Sequence, residues 1–427
     1  MRCEKITFLI AKMIARDTLP INFVDGEGFK ELMAYVEPAY VVPCAKTMKK
    51  RLQSMYSAAK DKVRANLADI QSVVLTTDCW TSTANDSYIS LSAHYITSSL
   101  KMITTTLATE HFADRHTGEN IKNKIESMMA NWDIEDKTTA IVHDNAANMN
   151  LASSLSDKWR PIPCTAHTLQ LAVNHALDKS GVNAVLSSAC RLVSHFRHST
   201  VATTALHKEQ ERMNLPQKKL MLYCKTRWNS AYDMLLRLKE NRWVVSAVLS
   251  DPRTTKPSQA KSLELSNEQW HIINSICPVL EPLKLATVML SSEENVTVSV
   301  VLPIIAGLLA GINVDEERDD HQTVVDFQTE LVHQLNNRFS VNGRATMLHL
   351  ATFLDPRFNH MNFLSSGTQH WSLIKCTTSW IWSLSPLQVL PPALNPTTSC
   401  TELNLEHLII HIVSKPLISP SVTVIYT

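Results

Sequence analysis

The stretch that decides the fold is VVLTTDCWTS, residues 73–82. Its first three residues are apolar and two of them are β-branched, a composition typical of a buried strand. Two threonines come next, then an acid, Asp78, and two more hydroxylated residues follow at positions 81 and 82. The pattern predicts a strand whose carboxyl end presents Asp78 to a cleft.

A second run of the same kind is TAIVHDN, residues 139–145, in which an apolar stretch again leads to an acid, Asp144. Mg²⁺ prefers carboxylate oxygens, and two ions about 3.5–4 Å apart can hold both reacting oxygens of a phosphoryl transfer. Asp78 and Asp144 are therefore candidate metal-binding, catalytic acids. The alternative for each acid alone is that it only starts a turn.

Length and composition exclude several classes of protein. The chain has 427 residues, 44% of them hydrophobic, which leaves room for two or three domains. The nine cysteines form no Cys-x₂-Cys pair, so we expect reduced thiols and an intracellular location. The apolar run 300–312 contains Pro303 and is too short to span a bilayer, so we expect a soluble protein without a membrane partner. Because the net charge is only +1, any DNA contact must come from local patches.

The hydrophobic pattern divides the chain into segments. Residues 1–70 show helical stripes. Alternating or apolar runs predict strands near 73–78, 89–95, 101–110 and 139–143. A helix from Thr117 to Trp132 is predicted between the third and the fourth of these strands. Helical stripes resume after Cys164. Residues 251–261, rich in proline and threonine, are the best internal linker candidate. The segment 371–427 carries few charged side chains and no useful helical stripe, which predicts a poorly packed tail.

Four blocks occur in order: TTDCWTS (76–82), IVHDNAANM (141–149), CTAHTLQLAVNHAL (164–177) and TRWNSAYDMLLRL (226–238). Together with LDPR at 354–357, they make residues 5–365 resemble an hAT-superfamily transposase, in the branch of the zinc finger BED domain-containing proteins. The resemblance implies an α/β fold, a ribonuclease-H-like core with a large all-helical insertion. It also implies four regions. These are a helical DNA-binding-like region (1–70), the core and start of the insertion (71–250), the helical insertion (251–367) and a divergent tail (368–427).

The resemblance also assigns roles to the acids. Asp78 and Asp144 match two members of the family's Asp-Asp-Glu triad, and the third acid has no match, because the surroundings of Glu402 and Glu406 differ from the family pattern. We therefore expect weak binding of Mg²⁺ or Mn²⁺ and no DNA cleavage by this chain alone. The family's BED zinc finger is not found before Asp78.

Three further sites follow from the resemblance. Arg227 would hold a phosphate and Trp228 would stack on a flipped base; the alternative for Trp228 is a core position on a helix face. The basic residues of the first region would bind DNA or would simply be a solvated helix face: Lys46, Lys49, Lys50 and Arg51. The remaining pair, Cys164 and His167, is half a zinc site, so we assign it to helix packing and expect no zinc.

Three functions compete at this stage. The first is a domesticated, non-catalytic nuclear protein that binds DNA or chromatin and regulates transcription. The second is an active transposase that receives a glutamate from a longer chain. The third is a non-functional fragment of a decayed element. The expected partner is DNA, and the homo-oligomer of the full-length family is expected to be impaired here.

Overall fold

The structure is a computed structural model and describes residues 2–292, 296–312, 321–339 and 347–364. The strands are β1 (Val73–Thr81), β2 (Ser87–Ile96), β3 (Met102–His111), β4 (Thr138–His143) and β5 (Arg160–Pro163). The first helices are α1 (Arg2–Arg16), α2 (Glu27–Val36), α3 (Ala45–Ala68), α4 (Gly118–Ala130), α5 (Ala147–Ser154), α6 (Thr165–Lys179), α7 (Val182–His198) and α8 (Thr200–Arg212). The others are α9 (Asn229–Glu240), α10 (Arg242–Ser250), α11 (Pro257–Leu263), α12 (Asn267–Leu290), α13 (Val301–Gly311), α14 (Gln322–Arg338) and α15 (Met347–Leu354).

The five strands form one mixed sheet in the order β3-β2-β1-β4-β5. The first three strands are an antiparallel meander, and β4 and β5 run parallel to β1. The crossover from β3 to β4 contains α4. This is the order of a ribonuclease-H-like sheet, which confirms the predicted α/β core and the predicted adjacency of the first and fourth strands.

The two faces of the sheet pack against different layers, because side chains alternate along each strand. One face carries Leu75 and Ile141 and is covered by α4 and α5, together with two buried tryptophans, Trp132 and Trp159. The opposite face carries a smaller apolar cluster that includes Val74. Residues 296–300, α15 and the start of α6 contribute to the packing of this second face.

Helices α6 to α14 surround the largest core, as the predicted helical insertion requires. The longest helix there, α12, begins with a capping box between Ser266 and Gln269. By length and composition alone α12 could cross a membrane, but half of the residues in its most apolar window are buried inside the protein. It packs on α9 and α14 as a core helix does.

The N-terminal helices form a separate small core around Ile10, Ile14 and Met48. Helix α3 connects this core to the sheet layer, because Lys60 lies over the Trp132 ring at 5.1 Å and Arg64 pairs with Asp133. The helical nature of residues 1–70 is confirmed.

Two features of the chain differ from the sequence-based expectation. The linker candidate 251–261 is a turn followed by the start of α11, and Thr255 is buried there with a hydrogen bond to His195 at 3.1 Å. The strand β5 has no predicted counterpart, since Pro161 and Pro163 argue against a strand; as an edge strand it tolerates both prolines. The predicted tail, with Glu402 and Glu406, lies outside the described residues.

Candidate functional site

The candidate site lies where β1 and β4 reach their carboxyl ends. Leu75 pairs with Ile141 and Thr76 with Val142. Extending this register along both chains places Asp78, in β1, opposite Asp144, the residue directly after β4. The predicted convergence of the two acids on neighbouring parallel strands is therefore confirmed. Asp78 lies on the same sheet face as Val74 and Thr76, because side chains alternate along the strand.

The two carboxyl groups are close enough to influence each other's ionisation. Burial raises the pKa of Asp78 to about 7, and the negative charge of Asp144 contributes to the rise, while a hydrogen bond from the Cys79 backbone opposes it. The Cys79 thiol next to the pair has its pKa raised to about 12, first by burial and then by both acids. A cation between the carboxylates would remove this repulsion.

The turn that presents Asp144 is held by a buried hydrogen-bond chain. The backbone N–H of Ala146 donates to Asp144 Oδ1 at 3.1 Å, and His143 Nδ1 donates to the Asp144 carbonyl oxygen at 2.6 Å. Because Nδ1 carries the proton, Nε2 accepts from the Ser153 hydroxyl at 2.9 Å. That hydroxyl oxygen in turn accepts from Trp159 Nε1 at 3.4 Å. Burial lowers the pKa of His143, which keeps this imidazole neutral.

The helix α6 begins as predicted, with Cys164 buried and His167 in the first turn. The Cys164 N–H donates to the His143 carbonyl at 2.8 Å, so this cysteine joins the helix to β4. Burial lowers the pKa of His167, and the charge of Asp144 acts in the opposite direction, which places His167 on the acid side of the helix. The packing role expected of Cys164 agrees with its 1% exposure.

Arg227 and Trp228 differ in their surroundings. Arg227 is exposed, and the loop before it is tied to α6 by a hydrogen bond from Gln170 Nε2 to the Thr226 carbonyl at 2.9 Å. Trp228 is only 1% exposed and belongs to the core of the helical domain, with Tyr232. The structure thus places Trp228 as the core alternative requires. Its ring would have to leave the core before a base could stack on it, so stacking of Trp228 on a flipped base stays a prediction.

The basic cluster of α3 is mostly exposed to solvent. The lysines at 46, 49 and 50 lie exposed on the first two turns. Arg51 is half-buried and pairs with Glu4 at 2.5 Å, so it is a weaker candidate for phosphate contact than the lysines. Because the C-terminal half of α3 contacts the sheet layer, these lysines stand on a helix that is fixed to the core.

The donor set at the acid pair fits a hard divalent ion in type, since both groups are carboxylates. The number of protein ligands in this set is incomplete. Within the four described ranges, no three side chains among His, Cys, Asp and Glu lie together in a way that could hold a metal ion. The expectations of weak Mg²⁺ or Mn²⁺ binding and of no zinc remain predictions.

The aromatic side chains next to the acids were not predicted from the sequence. Trp80 is 38% exposed and stacks on Tyr88, its direct partner on β2, with ring centroids 5.8 Å apart and planes 20° apart. Strand alternation could have placed Trp80 on the Asp78 face, because the two residues are two apart in one strand. Exposure could not have been predicted in this way, since it depends on where the neighbouring strands end.

Comparisons with known proteins agree with this architecture. The ZBED1 RNase-like domain matches residues 76–186 and the ZBED1 RNase-like helical domain matches residues 162–279. The human zinc finger BED domain-containing protein 4 is 24% identical over 385 residues, 86% of this chain and 32% of that protein. The maize "Putative AC transposase" is 25% identical over 79% of this chain and 43% of its own length. The "Putative transcriptional regulator tpeD" of Talaromyces stipitatus is 22% identical over 72% of this chain and 40% of its own length. The chain thus spans about a third to two fifths of the curated relatives it matches.

Proposed function

We propose that the chain is a ZBED-type protein derived from an hAT transposase and that it acts in the nucleus as a DNA-binding regulator that does not cut DNA. The observation that carries the proposal is the acid pair on β1 and β4. Among the described residues the site holds two carboxylates, where this chemistry needs a fuller set of ligands, while the basic side chains that can bind phosphate are exposed. A relative named as a transcriptional regulator supports the regulatory part.

The electrostatics of the acid pair favour binding without cleavage. A bound Mg²⁺ or Mn²⁺ would be held by Asp78 and Asp144 and would stabilise negative charge on phosphate oxygens. Burial raises the pKa of Asp78 to about 7, however, so at neutral pH this carboxyl must lose its proton before it can hold the ion, which weakens the binding. A third acid would be needed to fix the ion, and the described residues supply none.

Phosphate contact is assigned to exposed cations on two elements. Lys46, Lys49 and Lys50 lie on the first turns of α3, and Arg227 lies on the loop tied to α6. Such contacts release counterions, so the affinity depends strongly on salt and little on base sequence. Arg227 offers a planar donor for a phosphate, whereas the lysines act as point charges.

The experiment that tests this function compares two double variants of equal charge. Lys49→Ala/Lys50→Ala removes two cations from α3, and Lys256→Ala/Lys261→Ala removes two exposed cations from the segment around α11. We expect the first variant to lower duplex DNA affinity and to reduce the slope of log affinity against log salt by about two. The second should leave both unchanged. Equal effects of the two variants would contradict the assignment to α3.

A second candidate function is an active transposase in which a longer chain supplies a glutamate. The specific observation in its favour is the preserved register of Asp78 and Asp144, which a purely structural sheet does not need. The two candidates differ in metal-dependent nicking of DNA. The third possibility, a decayed fragment, predicts neither DNA binding nor nicking.

A further inference from the structure

Residues 215–223, which we name the 215–223 segment, join the end of α8 to the loop before α9. They contain no helix, turn or bend, so the main chain runs there as an extended segment. The segment leads into the short bridge between Cys224 and Arg227. Among the described residues no strand pairs with it, because the sheet ends at β3 and β5. It is therefore a strand-like piece of chain on the helical domain.

One side of the segment is fixed by a buried amide. The fully buried Gln210 side chain bonds both main-chain groups of Lys218. Its Nε2 donates to the Lys218 carbonyl at 2.9 Å, and the Lys218 N–H donates to its Oε1 at 3.2 Å. The same Nε2 donates to Asn241 Oδ1 at 2.8 Å, and Arg237 Nη1 donates to the Lys219 carbonyl at 3.2 Å. The segment is thus held in one conformation before a partner arrives, which lowers the entropy cost of binding.

The segment also has main-chain groups that an outside partner could use. In the described part of the chain, the N–H groups of Lys219, Met221 and Leu222 take part in no hydrogen bond. Open N–H groups on an extended chain are the feature to which a second extended chain adds through main-chain hydrogen bonds. The segment therefore resembles the free edge of a sheet in its hydrogen-bonding capacity.

The exposed polar side chains of this region are positively charged. Lys218 and Lys219 in the segment and Lys225 just beyond it are all exposed. Residues 213–232 contain no acid that could neutralise them from the same stretch of chain. Opposite charges across an interface steer association and select the partner. The charge pattern thus favours a partner that carries acids.

Two apolar side chains lie beside these lysines and decide between two classes of acidic partner. Met221 is 39% exposed and Leu222 is 38% exposed. The phosphates of a DNA duplex could neutralise the lysines, but they offer no apolar surface to cover the two aliphatic side chains. A peptide in which acids alternate with apolar residues matches both features. The combination therefore favours a protein partner at this position.

We propose that the 215–223 segment is a docking edge for an extended acidic peptide of a partner protein, which adds to its open main-chain groups. Acids of that peptide would pair with Lys218 and Lys219, and its apolar residues would cover Met221 and Leu222. The surface is distant in sequence from the lysines of α3. The inference goes beyond the proposed DNA-binding function and does not rest on it.

The test uses the full chain and a fluorescein-labelled peptide in which Glu alternates with Val or Ile, long enough to span the segment as a strand. A second peptide replaces each Glu by Lys. A third carries N-methyl groups on alternate peptide nitrogens, which removes main-chain donors and keeps the side chains. Fluorescence anisotropy measures the affinity, and hydrogen exchange locates the protected residues. We expect the first peptide to bind and to protect residues 215–223, and the other two to bind at least about tenfold more weakly.

Two double variants separate the charges from the apolar cover. Lys218→Ala/Lys219→Ala should weaken binding of the first peptide by about 2- to 30-fold, the range expected for two exposed ion pairs. Met221→Ser/Leu222→Ser should weaken it by about tenfold through lost apolar burial, while affinity for duplex DNA should be unchanged. Because all four side chains are exposed, both variants should fold, which circular dichroism checks.

Matched controls remove the same kinds of side chain elsewhere. Lys256→Ala/Lys261→Ala removes two exposed cations around α11. Leu285→Ser/Val288→Ser removes two exposed apolar side chains from α12. Both controls should bind the first peptide as wild type does.

Several results would overturn the inference. These are failure of the first peptide to bind, equal losses in variants and controls, and protection that lies outside the segment. Protection of the segment by duplex DNA without any response to the peptide would also overturn it, because it would assign the segment to DNA. The DNA-binding function is tested separately by Lys49→Ala/Lys50→Ala, so either proposal can fail while the other stands.

Discussion

Asp78 and Asp144 occupy matching positions on two parallel neighbouring strands. The register that pairs Thr76 with Val142 brings the two acids opposite each other when it is extended to the strand ends. Parallel strands end at the same edge of a sheet, so the two carboxyl groups are forced together by the register alone. Their mutual effect on ionisation follows from this position, and it leads to the first prediction.

Substituting Asp78 by Asn should stabilise the protein at high pH. The folded-state pKa, about 7, lies above the ordinary value of 3.8, so the folded chain binds more protons than the unfolded chain between these values. Wild type therefore loses stability as the pH rises from about 4 to 7. We expect the variant to be more stable by on the order of 1–3 kcal/mol at pH 8 and equal at pH 4. Urea unfolding at both pH values measures this, with the exposed Asp136→Asn as the control; a constant difference across pH would contradict it.

Removing the Ser153 hydroxyl should loosen the turn at Asp144. Ser153 donates to His143 Nε2 and accepts from Trp159, so Ser153→Ala leaves two buried polar groups without a partner. The expected loss of stability is about 1–3 kcal/mol. The neighbouring Ser154→Ala is a matched control, because its exposed hydroxyl only donates to a carbonyl of its own helix, and it should be nearly neutral. Chemical denaturation of both variants decides this, and equal effects would contradict the role of Ser153.

Gly118 is required by the close approach of α4 and α5. A Cβ atom at this position would lie 2.6 Å from Leu151 Cγ. We expect Gly118→Ala to destabilise the protein by about 1–3 kcal/mol through overpacking. Leu151→Ala in the same chain should recover part of this loss, because it removes the Cγ and Cδ2 atoms but leaves the Leu151 Cβ, which would lie 2.8 Å from the new atom. Thermal unfolding of the two single variants and the double variant tests the coupling; additive effects would contradict it.

Substitutions at Arg227 and at Trp228 should separate an effect on DNA binding from an effect on stability. Trp228→Ala removes a buried core ring, so we expect a loss of about 3–5 kcal/mol. Arg227→Ala removes an exposed charge, so we expect weaker DNA binding and a change in stability within about 0.5 kcal/mol. Denaturation and DNA titration are measured on the same samples. Weaker DNA binding by a fully stable Trp228→Ala would show that the ring contacts DNA after all.

The parts of the fold that follow from local patterns were predictable from the sequence. Apolar runs ending in an acid indicated β1 and β4, and Thr117 caps α4 by accepting a hydrogen bond from the Asn120 N–H at 3.3 Å. The order of the strands came from the family resemblance, since no spacing in the sequence specifies which strands are neighbours. Periodicity describes one element at a time and carries no information about its partners.

Other features could not be predicted from the sequence, because tertiary contacts decide them. Residues around Thr255 resemble a linker in their proline and threonine content, yet burial against His195 orders them. Trp228 fitted a helix stripe and a DNA-facing site equally well, and only the packing of the helical domain distinguishes the two. The exposure of Trp80 depends on the end of β4, a feature of another strand.

The central claim is that this chain binds DNA without cutting it, and a nicking assay tests the claim most directly. The full chain is incubated with supercoiled DNA in Mg²⁺ or Mn²⁺, beside Asp78→Asn, while binding is measured on the same preparations. We predict that wild type binds DNA and leaves it intact, and that Asp78→Asn binds equally well or slightly better, because it removes a negative charge near the phosphates. Metal-dependent nicking by wild type that Asp78→Asn abolishes would contradict the account, since it would require a further metal ligand and an intact catalytic site.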